Sequence, residues 1–309
     1  MKRAAQFLLP LLVLAAAAAL PFVTGPYPLA VARSVLTYMA LAMSWDLLLR
    51  SGQISFGIGA YAAALSVLRF SFPPILSILA AGLVAAVVAC ILGLVILRLR
   101  AVYFAITTLA LAEIFRVVAQ NGGDFSGGPE GLVLPSLIFQ GEAKALYWTA
   151  LAAVVFAGLV SAFFQRSRLR FALTAIRNNE LSARSSGIHI FAYLMVAFVA
   201  SSFIQGIVGG IQVQGYGFAS PDSVFDAYYT LLPLAMALLG GTYSTPGPVL
   251  GALLLGVAAE YLKLKIPYGH LVVYGIIIVL VILLMPQGLY GLYRGRMKAR
   301  AAAAGVGRG

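Results

Sequence analysis

The chain reads as a succession of long apolar runs separated by short polar stretches. The runs fall at roughly 6–24, 29–49, 53–70, 74–97, 101–119, 145–164, 191–211, 227–243, 246–262 and 269–286. A helix rises 1.5 Å per residue, so runs of about 18–22 residues are long enough to cross ~30 Å of hydrocarbon. The pattern predicts an all-α integral membrane protein of about ten transmembrane helices. Several runs contain Gly, Pro or polar residues, which predicts broken or re-entrant stretches. Two connections exceed turn length, at about 121–144 and 165–190. The others are short, so residues 1–293 are expected to form a single transmembrane domain. Residues 294–309, mostly Ala, Gly and Arg, are expected to be a disordered basic tail.

Composition supports this reading. The 309 residues are 62% hydrophobic and 10% charged, where a soluble domain carries about 25% charged residues. The net charge of +12 invites a nucleic-acid reading, but the basic residues stand between apolar runs. Cytoplasmic loops of membrane proteins accumulate Lys and Arg. With Lys2 and Arg3 inside and the side alternating at each run, 15 of the 21 basic residues face the cytoplasm. These include Arg50, Arg98 and Arg100, the five arginines from Arg166 to Arg184, and those from Arg294 onward. Asp124, Glu130, Glu142, Asp222 and Asp226 fall outside. The tally predicts both termini in the cytoplasm and places 165–190 there. Met1–Leu20 also resembles a signal peptide, with small residues at Ala15–Ala19; the alternation of charge favours a first spanning helix instead.

Reactive chemistry is scarce. Cys90 is the single cysteine and lies inside an apolar run. The two histidines, His189 and His270, fall on opposite sides. No nucleophile–base set or metal cluster can be assembled from them, so neither enzyme activity nor a cofactor or metal is expected. No G-x-x-x-x-G-K-[ST] segment occurs, so any ATP must be bound by another chain. Asp46 and Glu260 fall near span ends, where interfacial carboxylates are expected. Glu113 and Arg116, at i and i+3 in the fifth run, lie toward its outer end. They read as a structural pair or as polar lining near a substrate entrance. Gly52, Gln53, Ser55, Gly57 and Gly59 gather small and polar groups, which suits close helix packing or a pore-lining stretch with accessible backbone. The G-x-x-x-G spacings at Gly206–Gly210 and Gly247–Gly251 read as packing. An ion-coupled secondary transporter would need carboxylates near the midplane, and those in the runs lie off-centre.

The inner connection carries the most information. In Arg170–Ile188, Ala172, Ile176 and Leu181 recur at near-helical spacing, with Arg177, Glu180 and Arg184 opposite. This predicts one short amphipathic helix ended by Gly187. Such a helix either lies on the lipid interface or docks a cytoplasmic partner.

Ala175-Ile176-Arg177, Glu180, Ala183 and Gly187-Ile188 resemble the coupling loop of ABC importer permeases, and most closely the M-type permease of the branched-chain amino-acid (Liv) importers. Asn178, Asn179 and Ser182 depart from its usual pattern. Other blocks resemble the same family: Tyr103–Leu109 leading to Glu113–Arg116, Gly127-Gly128-Pro129-Glu130-Gly131, Ser220–Ser223, and Gly240-Gly241-Thr242 followed by Pro246-Gly247-Pro248 and Gly251-Ala252. The early segment Gly52–Gly57 abuts Ile58–Tyr61, where the family usually has intervening residues. The resemblance implies a type II ABC importer-like permease in a bacterial inner membrane. Ala175, Arg177, Glu180, Ala183 and Gly187 would contact the ATPase. Gly52, Gln53, Ser55, Gly57, Thr107, Thr108, Glu113 and Arg116 would border the substrate pathway. The implied partners are a second homologous permease, two cytoplasmic ATPases and an extracytoplasmic binding protein. The implied substrates are branched-chain or other apolar amino acids, with urea or short amides as alternatives.

Overall fold

The computed structural model describes residues 14–48, 54–99, 101–135, 141–242, 244–266, 269–284 and 288–292. A helix stands on each of the ten apolar runs: α1 (Leu14–Val23), α2 (Pro26–Leu48), α3 (Ile54–Phe70), α4 (Pro74–Ile96), α5 (Ala101–Asn121), α6 (Ala143–Arg166), α9 (Ile190–Tyr216), α11 (Tyr228–Gly240), α12 (Pro246–Lys265) and α13 (His270–Leu284). Two further helices, α7 (Arg168–Asn178) and α8 (Glu180–Ser185), fold the connection at 165–190, and the short α10 (Pro221–Val224) precedes α11. Five segments among the described residues are long and apolar enough to cross a membrane. They are α4, α6, α9, α12, and α10 with α11 taken together as Pro221–Gly240.

The last of these begins ahead of the run at 227–243, which α11 fills as one helix; a break separates it from α10 just before the run. Pro221 occupies the first turn of α10, and Ser220 and Ser223 close a capping box at its start. This combination stabilises a new helix start. The chain then leaves helical geometry at residues 225–227 before α11 begins.

Helix α9 is the axis of the bundle and packs against α2, α3, α4 and α6. Its glycines explain the close approach. A Cβ at Gly59 would overlap the backbone of Gly206, and a Cβ at Gly209 would overlap the Phe56 carbonyl. Small residues let helices in lipid approach until backbones touch. The α11–α12 hairpin uses the same device, with Gly247 and Gly251 against the carbonyls of Gly241 and Met236. The packing reading of both G-x-x-x-G spacings therefore holds.

Buried polar side chains bond between helices. Ser55 donates to Ser202 at 2.9 Å, Ser201 to the Ser44 carbonyl at 2.8 Å, and Gln214 to Ser77 at 2.6 Å. Outward positions are apolar instead: Leu83, Val87, Ile91 and Val95 of α4 are all more than half exposed. Apolar side chains outside and polar side chains bonded between helices inside suit a lipid solvent. Cys90 lies exposed on the same helix.

The connection after α5 is held against the end of α9. It forms two 3-10 turns, Gly123–Phe125 and Gly128–Glu130. It then pairs Leu132–Val133 (β1) antiparallel with Phe218–Ala219 (β2). Gly131 has φ +80° and no room for a Cβ beside Ala219, which gives the glycine motif of residues 127–131 a physical reason.

Candidate functional site

The connection at 165–190 is two helices, which corrects the expectation of one. Asn179 is extended, with φ −159° and ψ 110°, and this ends α7. Its side chain then accepts a hydrogen bond from the Ser182 amide at 3.0 Å, capping α8. Asn is among the strongest N-caps, so a residue that read as part of a helix surface is in fact the break. Arg177 and Glu180 therefore do not share one continuous helical face. Gly187, at φ +79°, closes α8 as expected: the Ile188 amide bonds the Ala183 carbonyl at 3.1 Å, in Schellman fashion.

The break redistributes the predicted contacts. Ala172, Ile176 and Ala183 are buried, Ala183 to 2% exposure. Ala183 holds α8 to the bundle and offers no surface to a partner. Ala175 is partly buried against the same core. Leu181, expected on the packed face, is 76% exposed, as is Phe171. Arg177, Glu180, Arg184 and Gly187 are exposed as well. The result is an outward surface in which two large apolar side chains stand among charged ones.

Beneath α7 lies a cavity of about 300 Å³ lined by Asp46, Leu47, Phe164, Gln165, Arg170, Thr174, Arg177, Thr242, Ser244 and Tyr290, among others. It gathers the end of α2, the end of α6, the α11–α12 turn and residue 290 at one end of the molecule. Asp46, two residues from the end of α2, is 5% exposed and lines this cavity with Arg170 and Arg177.

The opposite end holds the other predicted cluster. Arg116 Nε bonds Asp222 Oδ1 at 2.7 Å, and its Nη1 bonds Glu113 at 3.1 Å. Gln120 also donates to Asp222, at 3.0 Å. The network ties α5 to α10. Arg69, at the end of α3, donates to the Asp124 carbonyl at 2.8 Å. The i,i+3 pairing of Glu113 and Arg116 was legible in the sequence, but Asp222, 106 residues away, was not.

The early glycine segment packs inward where it is described. Gly57 faces the Phe225 ring, and Ser55 is spent on Ser202. Gly52 and Gln53 lie outside the described residues. Thr108 is buried and Thr107 half-buried. The exposed face of α5 carries Ile106, Leu109, Glu113 and Val117, polar and apolar together. Among the described residues, no group of three or more His, Cys, Asp and Glu could hold a metal ion.

Comparison with known proteins decides the class. A family model described as branched-chain amino acid transport system, permease component, matches residues 27–282. The chain belongs to this permease family. The permease is 31% identical to the high-affinity branched-chain amino acid transport system permease protein LivM of Escherichia coli (strain K12), over 96% of its own length and 77% of that protein. It is 30% identical to the LivM of Salmonella typhimurium over the same shares. A LivH permease of Salmonella typhimurium aligns with 57% of the chain at 28% identity, so the M-type assignment from the sequence holds. No solved structure matches the permease. Its family and its apolar helices make it a multi-pass membrane protein.

Proposed function

We propose that this permease forms, with a second homologous permease, the membrane channel of an ATP-driven importer for branched-chain amino acids. The observation that carries the proposal is the family match across residues 27–282, joined to an exposed helical loop at one end of the bundle. On this reading the ten helices of the apolar runs all span the inner membrane and both termini are cytoplasmic. Residues 1–293 form the membrane domain and 294–309 a basic tail.

The end bearing α7, α8 and the cavity faces the cytoplasm. Two ATPase subunits hydrolyse ATP there, and one takes Phe171, Leu181, Arg177, Glu180 and Arg184 into its cleft. The burial of Ala172, Ile176 and Ala183 makes this surface rigid with respect to the bundle, so ATPase movement passes to α6 and α9 rather than dissipating in a loose loop. The end bearing Arg116 and Asp222 faces outward, toward a binding protein that delivers substrate. The exposed face of α5, with Thr107, Glu113 and Arg116, lines the path together with the second permease. Substrate passes unmodified, and the permease itself catalyses nothing.

The test is uptake of labelled leucine by the complete complex, in competition with isoleucine, phenylalanine and urea. Competition by isoleucine and none by urea is expected; competition by urea without leucine transport would overturn the substrate assignment.

A further inference from the structure

A charged cluster that sequence reasoning did not assemble lies between α2, α11, α12 and α13. Lys263 Nζ is 3.2 Å from Glu260 Oε1 and 3.3 Å from the Tyr38 hydroxyl. It stands 5.0 Å from the ring centre of Tyr228 and 5.6 Å from that of Tyr38. Tyr38 donates to the Tyr228 hydroxyl at 3.3 Å. The Tyr274 ring packs 6.0 Å from Tyr228, and its hydroxyl donates to the Ala259 carbonyl at 2.6 Å. Two tyrosines and a glutamate therefore surround one ammonium, and a third tyrosine backs Tyr228.

Its position is unusual for a purely structural pair. Lys263 follows Gly256 and Ala259 at helical spacing. Gly256 packs on Val35 and Met236 and Ala259 is buried, so Lys263 points into the bundle and away from lipid. Glu260 and Lys263 stand in the last two turns of α12, toward the helix end. Ionisable side chains that face the bundle interior of a membrane protein mark ligand or ion paths. The cluster also adjoins the break between α10 and α11. Tyr228 is the first residue of α11, and its amide bonds the carboxylate of the exposed Asp226 at 2.8 Å. Discontinuous helices place their broken ends at substrate sites in membrane transporters.

We propose that Lys263, with Glu260 and the tyrosine cage, binds the charged end of a free amino acid on its way inward, the Lys263 ammonium receiving the α-carboxylate. This deepens the importer reading above and rests on it. The Lys263 side chain keeps 32% exposure while Glu260 keeps 15%, so Lys263 is the more accessible of the pair. A 3.3 Å contact to a neutral phenol is weak. A carboxylate forms shorter, charge-assisted bonds of about 2.7–2.9 Å and displaces the phenol from the ammonium. Asp226 and the tyrosine faces then serve the substrate ammonium, and the apolar side chain needs no polar partner.

The test is leucine uptake by the assembled complex carrying Lys263→Met, which leaves the half-buried Glu260 without its cation, and by the Lys263→Met/Glu260→Gln double variant, which removes both charges and leaves no orphan. Apparent KM for leucine in the double variant is expected to rise tenfold or more, the scale of one lost charged hydrogen bond. Lys263→Arg is expected to recover part of the loss. Double-variant KM within twofold of wild type overturns the proposal, as does Lys263→Arg being no better than Lys263→Met, which would leave only a packing role. If the wild-type complex itself carries urea and not leucine, the importer reading fails rather than this site.

Discussion

Substitution of Gly209 in α9 by alanine tests the packing of the bundle directly. The added methyl group would overlap the Phe56 carbonyl and come within 3.0 Å of the Ala60 amide nitrogen. Both are backbone atoms of α3, so neither can rotate aside, and the two helices must separate. Overpacking of this kind costs about 1–3 kcal/mol or more. Alanine is also a better helix former than glycine by about 0.5–1 kcal/mol, which partly masks the loss.

Gly158→Ala supplies the control. Its methyl group would meet the Met43 side chain at 3.5 Å, an ordinary contact, so only the helix-forming gain remains. Gly82→Ala falls between: its nearest atoms are Ile207 Cγ1 at 2.8 Å and the Phe203 ring at 3.0 Å, both on side chains able to shift. Because the helix-forming gain is common to all three, the spread between Gly158→Ala and Gly209→Ala isolates the overlap, at about 1–3 kcal/mol. Unfolding of the purified permease in mixed micelles, titrated with a denaturing detergent, measures the order. Equal stability of Gly209→Ala and Gly158→Ala would refute the claimed α3–α9 contact.

Other consequences follow from single contacts. Glu180→Lys reverses a charge on the exposed first turn of α8, and is expected to abolish uptake and its coupling to ATP hydrolysis while the protein still inserts; normal uptake by a well-expressed variant would remove α8 from the docking surface. Asn179→Ala deletes the bond to the Ser182 amide and should loosen α8 by about 1 kcal/mol, seen as faster proteolysis near residue 180 without loss of global stability. Ser77→Ala leaves the buried Gln214 amide without its bond and should cost about 1–3 kcal/mol, whereas Ser77→Ala/Gln214→Leu should recover most of it. A double variant as unstable as the single one would contradict that pairing.

The apolar runs were legible because lipid imposes a simple rule on every exposed position. Ten such runs are visible by eye, and a helix occupies each. The break at 225–227 lies just ahead of the run at 227–243, so the apolar pattern does not show it, although Pro221 and the Ser220–Ser223 pair are recognisable start signals. Asn178-Asn179 was likewise read as helix surface, when a capping residue between two short amphipathic stretches equally signals a boundary. The Lys263 cluster was beyond sequence reasoning for a different cause. Tyr38, Tyr228 and Tyr274 come from three helices, and nothing local distinguishes them from the other twelve tyrosines. Only the Glu260–Lys263 spacing hinted at a pair. Asp222 similarly joins Arg116 only through the fold.

The central claim is that this permease imports amino acids at the expense of ATP bound elsewhere. Proteoliposomes containing the complete complex, with ATP supplied on the side of α7 and α8 and binding protein with labelled leucine on the other, test it most directly. Accumulation of leucine against its gradient, lost when a non-hydrolysable nucleotide replaces ATP, is the predicted result. Accumulation that persists without hydrolysable ATP and follows a proton or sodium gradient would contradict the account.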